Sequence, residues 1–127
     1  METAVLAALK AHGHDLPIGQ ARIFQRIAPQ GSRLAELAEA AQVSKQTVGS
    51  IVDQLERAGY VRRVPDPSDA RARLVTVTPK GMELVEIGVP VIREIEAAWE
   101  AHLGRARIRQ LRDALAELRT ITDPYAG

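Results

Sequence analysis

Residues 45–50 include Lys45, Gln46, Thr47, Gly49 and Ser50 and contain no acid. Gln pairs bidentately with adenine, Ser and Thr bond any base, and Lys reaches guanine or phosphate. The bare Gly49 permits close approach. Ser44 before them can cap a helix, and Val48, Ile51, Val52 and Leu55 recur at helical spacing. At ~100° per residue, the face opposite those apolar residues carries Gln46, Ser50, Asp53 and Arg57, flanked by Lys45, Thr47, Gly49 and Gln54. Such a helix suits the major groove of a duplex. Taken by itself it reads equally well as the solvated polar face of a surface helix.

A second cluster adds weight to the groove reading. From Arg57 to Lys80 there are six basic residues (Arg57, Arg62, Arg63, Arg71, Arg73, Lys80) and two acids (Asp66, Asp69), a local balance of +4 against +1 for the chain. An arginine-bearing β-tip beside a recognition helix can enter the adjacent minor groove. Asp69 and Arg71 fall on the same side of an extended tip, so Asp69 is placed to hold the guanidinium. The alternative is a salt-bridged surface loop.

Other chemistry finds little support. The chain has no cysteine, which excludes disulfides, thiolate metal sites, cysteine nucleophiles and thiol redox sensing. His12 and His14 lie close to Asp15, but in a helix-ending turn around Gly13 they read as solvent-exposed polar residues rather than metal ligands. His102, near Trp99, reads as a packing or interface residue. No glycine-rich phosphate loop, nucleophile elbow or zinc-protease spacing occurs, so neither enzyme activity nor a cofactor is expected. The four aromatics (3%) argue against stacking of single-stranded bases. With 127 residues, one domain is expected. Glu2 stands where a signal peptide needs basic residues, and no stretch nears the ~20 apolar residues of a membrane span. A cytoplasmic protein without a membrane partner is the expectation.

The elements that position these residues follow from periodicity. Residues 2–11 read as a helix and 17–28 as a second, opened by Pro17. Residues 33–41 form a third, capped by Ser32 with Glu36 in its first turn, and 45–58 a fourth, ended by Gly59 in a left-handed conformation. Residues 60–64 and 73–78 read as strands joined by a long tip over 65–69. Thr78 and Pro79 start a long helix to Leu103, bent at Gly88 and Pro90 and broken by Gly104. The last helix, 105–121, turns Ile108, Leu111, Leu115 and Leu118 inward. Its Arg105, Arg107, Arg109 and Arg112 either pair with Glu94, Glu96 and Glu100 or are solvated.

Helix, tight turn, helix and hairpin in this order resemble a known family. Leu34-Ala-Glu-Leu-Ala-Glu, Val43-Ser-Lys-Gln-Thr-Val48, Val52-Asp-Gln-Leu-Glu-Arg-Ala-Gly59, Pro65-Asp-Pro-Ser-Asp-Ala-Arg-Ala-Arg-Leu-Val75 and Thr78-Pro-Lys-Gly81 look like the MarR family of winged helix-turn-helix regulators. The likeness covers about residues 17–121. The expected fold is mainly α with a small β-wing, a winged helix-turn-helix with N- and C-terminal dimerisation helices. A single domain over 1–127 would divide into a dimerisation layer (1–28 and 82–121) and a DNA-binding part (29–81). The resemblance implies a homodimer, often a repressor, on a pseudo-palindromic double-stranded DNA operator. It also implies release by a small, often aromatic, effector. Ser44, Lys45, Gln46, Thr47, Gly49, Ser50 and Gln54 would lie at the major groove. Asp69 and Arg71 would form the wing-tip motif, with Arg63 and Arg73 adding phosphate contacts. Ser50 stands where relatives often carry arginine. A dimeric interaction protein of this fold without specific DNA binding is the competing reading.

Overall fold

The computed structural model describes residues 2–122, with side chains described as far as Leu118; residue 1 and residues 123–127, Tyr125 among them, lie outside the described residues. In chain order the elements are α1 (Glu2–Ala11), α2 (Ile18–Phe24), α3 (Leu34–Ala41), α4 (Lys45–Arg57), β1 (Val61–Asp66), β2 (Asp69–Val77), α5 (Pro79–Leu103) and α6 (Arg105–Thr122). The expected mainly helical architecture with a two-stranded antiparallel wing is the observed one.

Each helix that meets the core is amphipathic, and the apolar side is the buried one. α4 buries Val48, Val52 and Leu55 completely, and α3 buries Leu37 and Ala38 against it. α2 packs against α3 and α4, and α1 packs on α5. Leu9, Phe24 and Leu84 join the same hydrophobic cluster as the α3–α4 pair, so a continuous core links these helices to the wing.

Several boundaries differ from the sequence expectation. α2 is shorter than 17–28, with Pro17 just before its first turn. Ser32 does not cap α3. Its backbone N–H donates to the Val75 carbonyl at 3.0 Å and its carbonyl accepts from Val75 at 2.8 Å, adding an extended bridge to the wing. The Ser32 hydroxyl accepts from the Ala28 N–H at 2.9 Å, and Arg33 occupies the N-cap position. The turn between α3 and α4 depends on Gln42, a non-glycine residue at φ 59° whose side-chain amide donates to the Glu39 carbonyl at 2.9 Å. Gly59, at φ 88°, follows α4 in the expected left-handed conformation. α5 continues through Pro90 to Leu103.

His14 is the clearest correction. It is buried rather than exposed, hydrogen-bonded through Nδ1 to the Tyr60 hydroxyl at 2.8 Å, with Nε2 3.4 Å from Glu83. A buried ring nitrogen needs such a partner, and burial pushes the Tyr60 hydroxyl's pKa up. Leu111, Leu115 and Leu118 do not turn into this chain's core. They are 44%, 52% and 54% exposed, and only Ile108 of that stripe is buried. Two of the neighbouring arginines pair within the chain, Arg105 with Glu100 and Arg112 with Glu96, both at 3.1 Å.

α5 starts where Thr78 accepts a hydrogen bond from the Gly81 N–H at 3.1 Å. A Cβ at position 81 would collide with the Tyr60 carbonyl and the Val77 side chain. The collision includes backbone, which cannot rotate away. Gly81→Ala is therefore expected to destabilise the fold by about 1–3 kcal/mol, the usual range for overpacking, read as an earlier urea midpoint with unchanged slope.

Candidate nucleic-acid interface

Ser44 starts α4 as its sequence position suggests. Its hydroxyl oxygen accepts from the Thr47 N–H at 3.1 Å and its O–H donates to Thr47 Oγ1 at 2.8 Å. Both hydroxyls thus serve the cap first. Lys45, Gln46 and Ser50 are exposed. Gln54, grouped with them, accepts at 2.9 Å from Gln20 of α2, so its carbonyl belongs to a helix–helix contact. Gly49 has open space where a Cβ would stand. The fold itself therefore gives no steric reason for a glycine there.

The wing is tighter and more irregular than a long tip. Pro65 and Asp66 belong to β1, only Pro67 and Ser68 separate the strands, and the register shifts between Pro65↔Arg73 and Asp66↔Asp69. Residues 70–72 therefore bulge out of β2 without partners on β1. Bulges re-aim side chains, and this one carries the exposed Arg71. Asp69 does not hold the Arg71 guanidinium. Its carboxylate accepts the Arg71 backbone N–H at 3.0 Å and closes the bulge. Two residues apart, that backbone amide is the nearer donor.

Asp66 anchors the tip and was missed as a site residue. It is buried. One carboxylate oxygen accepts from the Ser68 N–H at 2.8 Å and the Ser68 hydroxyl at 2.7 Å. The other accepts from Arg33 Nε at 2.8 Å and Nη2 at 2.6 Å. The Ser68 N–H first, then the Ser68 hydroxyl and Arg33, hold this carboxyl at a pKa of about 2. Asp-Pro-Ser is a sequence signal for the local turn; the Arg33 partner, far away in sequence, has none.

Arg63 is also placed differently from expectation. Its guanidinium lies on α4, Nη2 2.8 Å from Asp53 and Nη1 2.9 Å from Glu56, with Nη2 donating to the Gly49 carbonyl at 3.4 Å. Two carboxylates of α4 thus engage this guanidinium within the chain. A cleft between α3, the start of α4 and the wing is lined by Arg33, Lys45, Arg63, Arg71 and Arg73 and by no acid. With Arg33 and Arg63 engaged internally, Lys45, Arg71 and Arg73 have no ion pair among the described residues. Among those residues no group of three or more His, Asp and Glu could hold a metal, and no helix is long and apolar enough to cross a membrane.

The family model of the MarR family matches residues 14–72. The chain is 35% identical over 106 residues to the HTH-type transcriptional regulator FarR of Neisseria gonorrhoeae, covering 82% of this chain and 72% of that protein. It is 35% identical over 94 residues to the transcriptional activatory protein BadR of Rhodopseudomonas palustris, covering 73% of this chain but only 52%, about half, of BadR. Its fold is similar to that of CouR from Rhodococcus jostii RHA1, solved bound to p-coumaroyl-CoA, at a TM-score of 0.71 and 24% identity over 91% of this chain and 81% of that one.

The Asp66 pKa makes the wing acid-sensitive. Because the folded pKa is lowered from 3.8 to about 2, Asp66 contributes stability that is present above about pH 4 and lost as pH falls toward 2. Asp66→Asn is expected to lower stability at neutral pH and to flatten the loss between about pH 4 and pH 2. Urea unfolding followed across that range checks both.

Proposed function

The chain belongs to the MarR family of transcriptional regulators, and from that premise we propose that it is a dimeric repressor that reads a pseudo-palindromic duplex and is released by a small apolar ligand. The observation that carries the DNA reading is the acid-free cleft between α3, α4 and the wing, where Lys45, Arg71 and Arg73 have no ion pair among the described residues. Lys45, Gln46, Thr47 and Ser50 would meet base edges or the nearby backbone in the major groove, with Ser44 holding the helix start. Arg71, on its bulge closed by Asp69, would enter the minor groove, and Arg73 would reach phosphate. Arg63 and Gln54 would act through α4 rather than on DNA. Half-sites would then lie about one helical turn apart.

Dimerisation is supported by the exposed α6 stripe of Leu111, Leu115 and Leu118 and by Trp99, which is 47% exposed on α5. Such a run of apolar side chains at helical spacing fits burial against a second copy. Ligand release is supported by an apolar cavity of about 240 Å³ among α1, α2 and α5. α2 lines that cavity and packs on α4, to which Gln20 is hydrogen-bonded. A ligand there would act on the recognition helix through α2.

Selection of duplexes from a random pool tests the reading as a whole. It should return a palindromic motif with half-sites one turn apart; retention of no duplex even at low salt would leave the interaction-protein alternative. Arg71→Ala is expected to weaken binding and to reduce the slope of log affinity against log salt by about 1, measured by fluorescence anisotropy. Gly49→Ala separates fold from function. It should raise stability by roughly 0.5–1 kcal/mol, because glycine is a poor interior helix residue, yet weaken binding to the selected duplex. A Gly49→Ala variant that binds as well as the parent would remove the close-approach role.

A further inference from the structure

Gln46, Gly49, Asp53 and Glu56 follow one another at spacings of three, four and three, which puts them on one strip of α4. The strip begins with groups suited to a duplex and ends with two carboxylates, which a phosphate backbone repels. Arg63 of β1 lies along it. Its guanidinium spans from the Gly49 carbonyl (3.4 Å) through Asp53 (2.8 Å) to Glu56 (2.9 Å), and its backbone N–H donates to the second Glu56 oxygen at 3.1 Å. The cation is the less exposed partner, with 22% of the Arg63 side chain accessible against 56% for Asp53 and 41% for Glu56.

We propose that Arg63 is a positioning residue that masks Asp53 and Glu56, so that the recognition helix can approach an anionic backbone without two uncovered negative charges. It does so as the less exposed member of this ion-pair cluster, acting on the carboxylates rather than on phosphate. The carboxylates in turn hold the start of the wing on α4. This inference rests on the DNA-binding reading.

A double-mutant cycle tests it on the full chain, with a fluorescein-labelled mixed-sequence duplex of about 30 base pairs, long enough for two half-sites. Arg63→Met keeps the apolar stem, and Asp53→Asn with Glu56→Gln keeps the shape and acceptor oxygens of the acids. Arg63→Met is expected to weaken binding about tenfold when both acids are present and less than about threefold when both are neutralised, since uncovered like charge is the main loss. The Asp53→Asn/Glu56→Gln protein, which retains Arg63, should bind at least as tightly as the parent. An equal or larger cost of Arg63→Met in the neutralised background would make Arg63 a phosphate contact or a brace and overturn the masking. So would weaker binding by the Asp53→Asn/Glu56→Gln protein, or no effect of Arg63→Met with the acids present. If the parent protein itself holds no duplex at low salt, the DNA reading fails there, before any substitution, and the masking falls with it.

Discussion

The rotation of α4 about its own axis governs the candidate interface. Val48, Val52 and Leu55 are completely buried, and each full burial of such a side chain is worth roughly 1.5–3 kcal/mol. Turning the helix to show another face would expose them, at a cost that the hydrogen bonds of its polar side cannot match. The neighbours are tied to that orientation. α2 and α3 pack on α4, the Tyr60 N–H donates to the Leu55 carbonyl at 3.0 Å, and Gly59 lets the chain reverse into β1. The side chains able to meet a partner are thus selected by the apolar residues that cannot.

Charge is divided in a related way. Of the five basic residues lining the cleft, Arg33 ties the wing tip through Asp66 and Arg63 ties the wing base through Asp53 and Glu56. These pairs determine where the wing lies more than how stable it is, since each has a solvent-exposed partner and such ion pairs contribute little net free energy. The remaining three cations, Lys45, Arg71 and Arg73, have no ion pair among the described residues. A sum over the sequence cannot see this division, because the balance of +4 counts engaged and unengaged arginines alike.

Much of the fold was legible because its signals are local. The i, i+3, i+4, i+7 apolar spacings of α3 and α4, the Ser44 and Thr78 caps and Gly59 all follow from residues close together in the chain. What was misread needed partners distant in sequence. Ser32 has the right chemistry for a cap, yet Val75 captures its backbone into the wing. His14 looks like a polar residue in a turn, yet Tyr60 and Glu83 bury it. Arg63 and Gln54 have intrachain partners, Asp53 with Glu56 and Gln20, that their own positions do not announce. Gln42 carries the left-handed turn without being a glycine, so nothing in its type announced the role. The leucines of α6 pose a different problem: periodicity shows that they form one face, but not whether that face meets this chain or another.

The end of α4 also explains how events far from the wing can reach it. Thr78 donates its hydroxyl hydrogen to the Gly59 carbonyl, Lys80 donates to the Ala58 carbonyl at 2.7 Å, and Lys80 sits 4.9 Å from the centre of the Tyr60 ring. His14, from the α1–α2 connection, bonds the same tyrosine, and Glu83 of α5 lies beside that histidine. Gly81 then brings α5 against the Tyr60 backbone more closely than any side chain would allow. The C-terminal end of the recognition helix is consequently held by the start of α5 and by the loop that leads into α2. The cavity among α1, α2 and α5 is lined by Leu16 of that loop and by α5 from Leu84 onward. α1 packs on α5 and α2 packs on α4, so a change at that cavity has a short route of direct contacts to the orientation of α4. In a dimer built on α5 and α6, the same contacts would set the spacing of the two recognition helices.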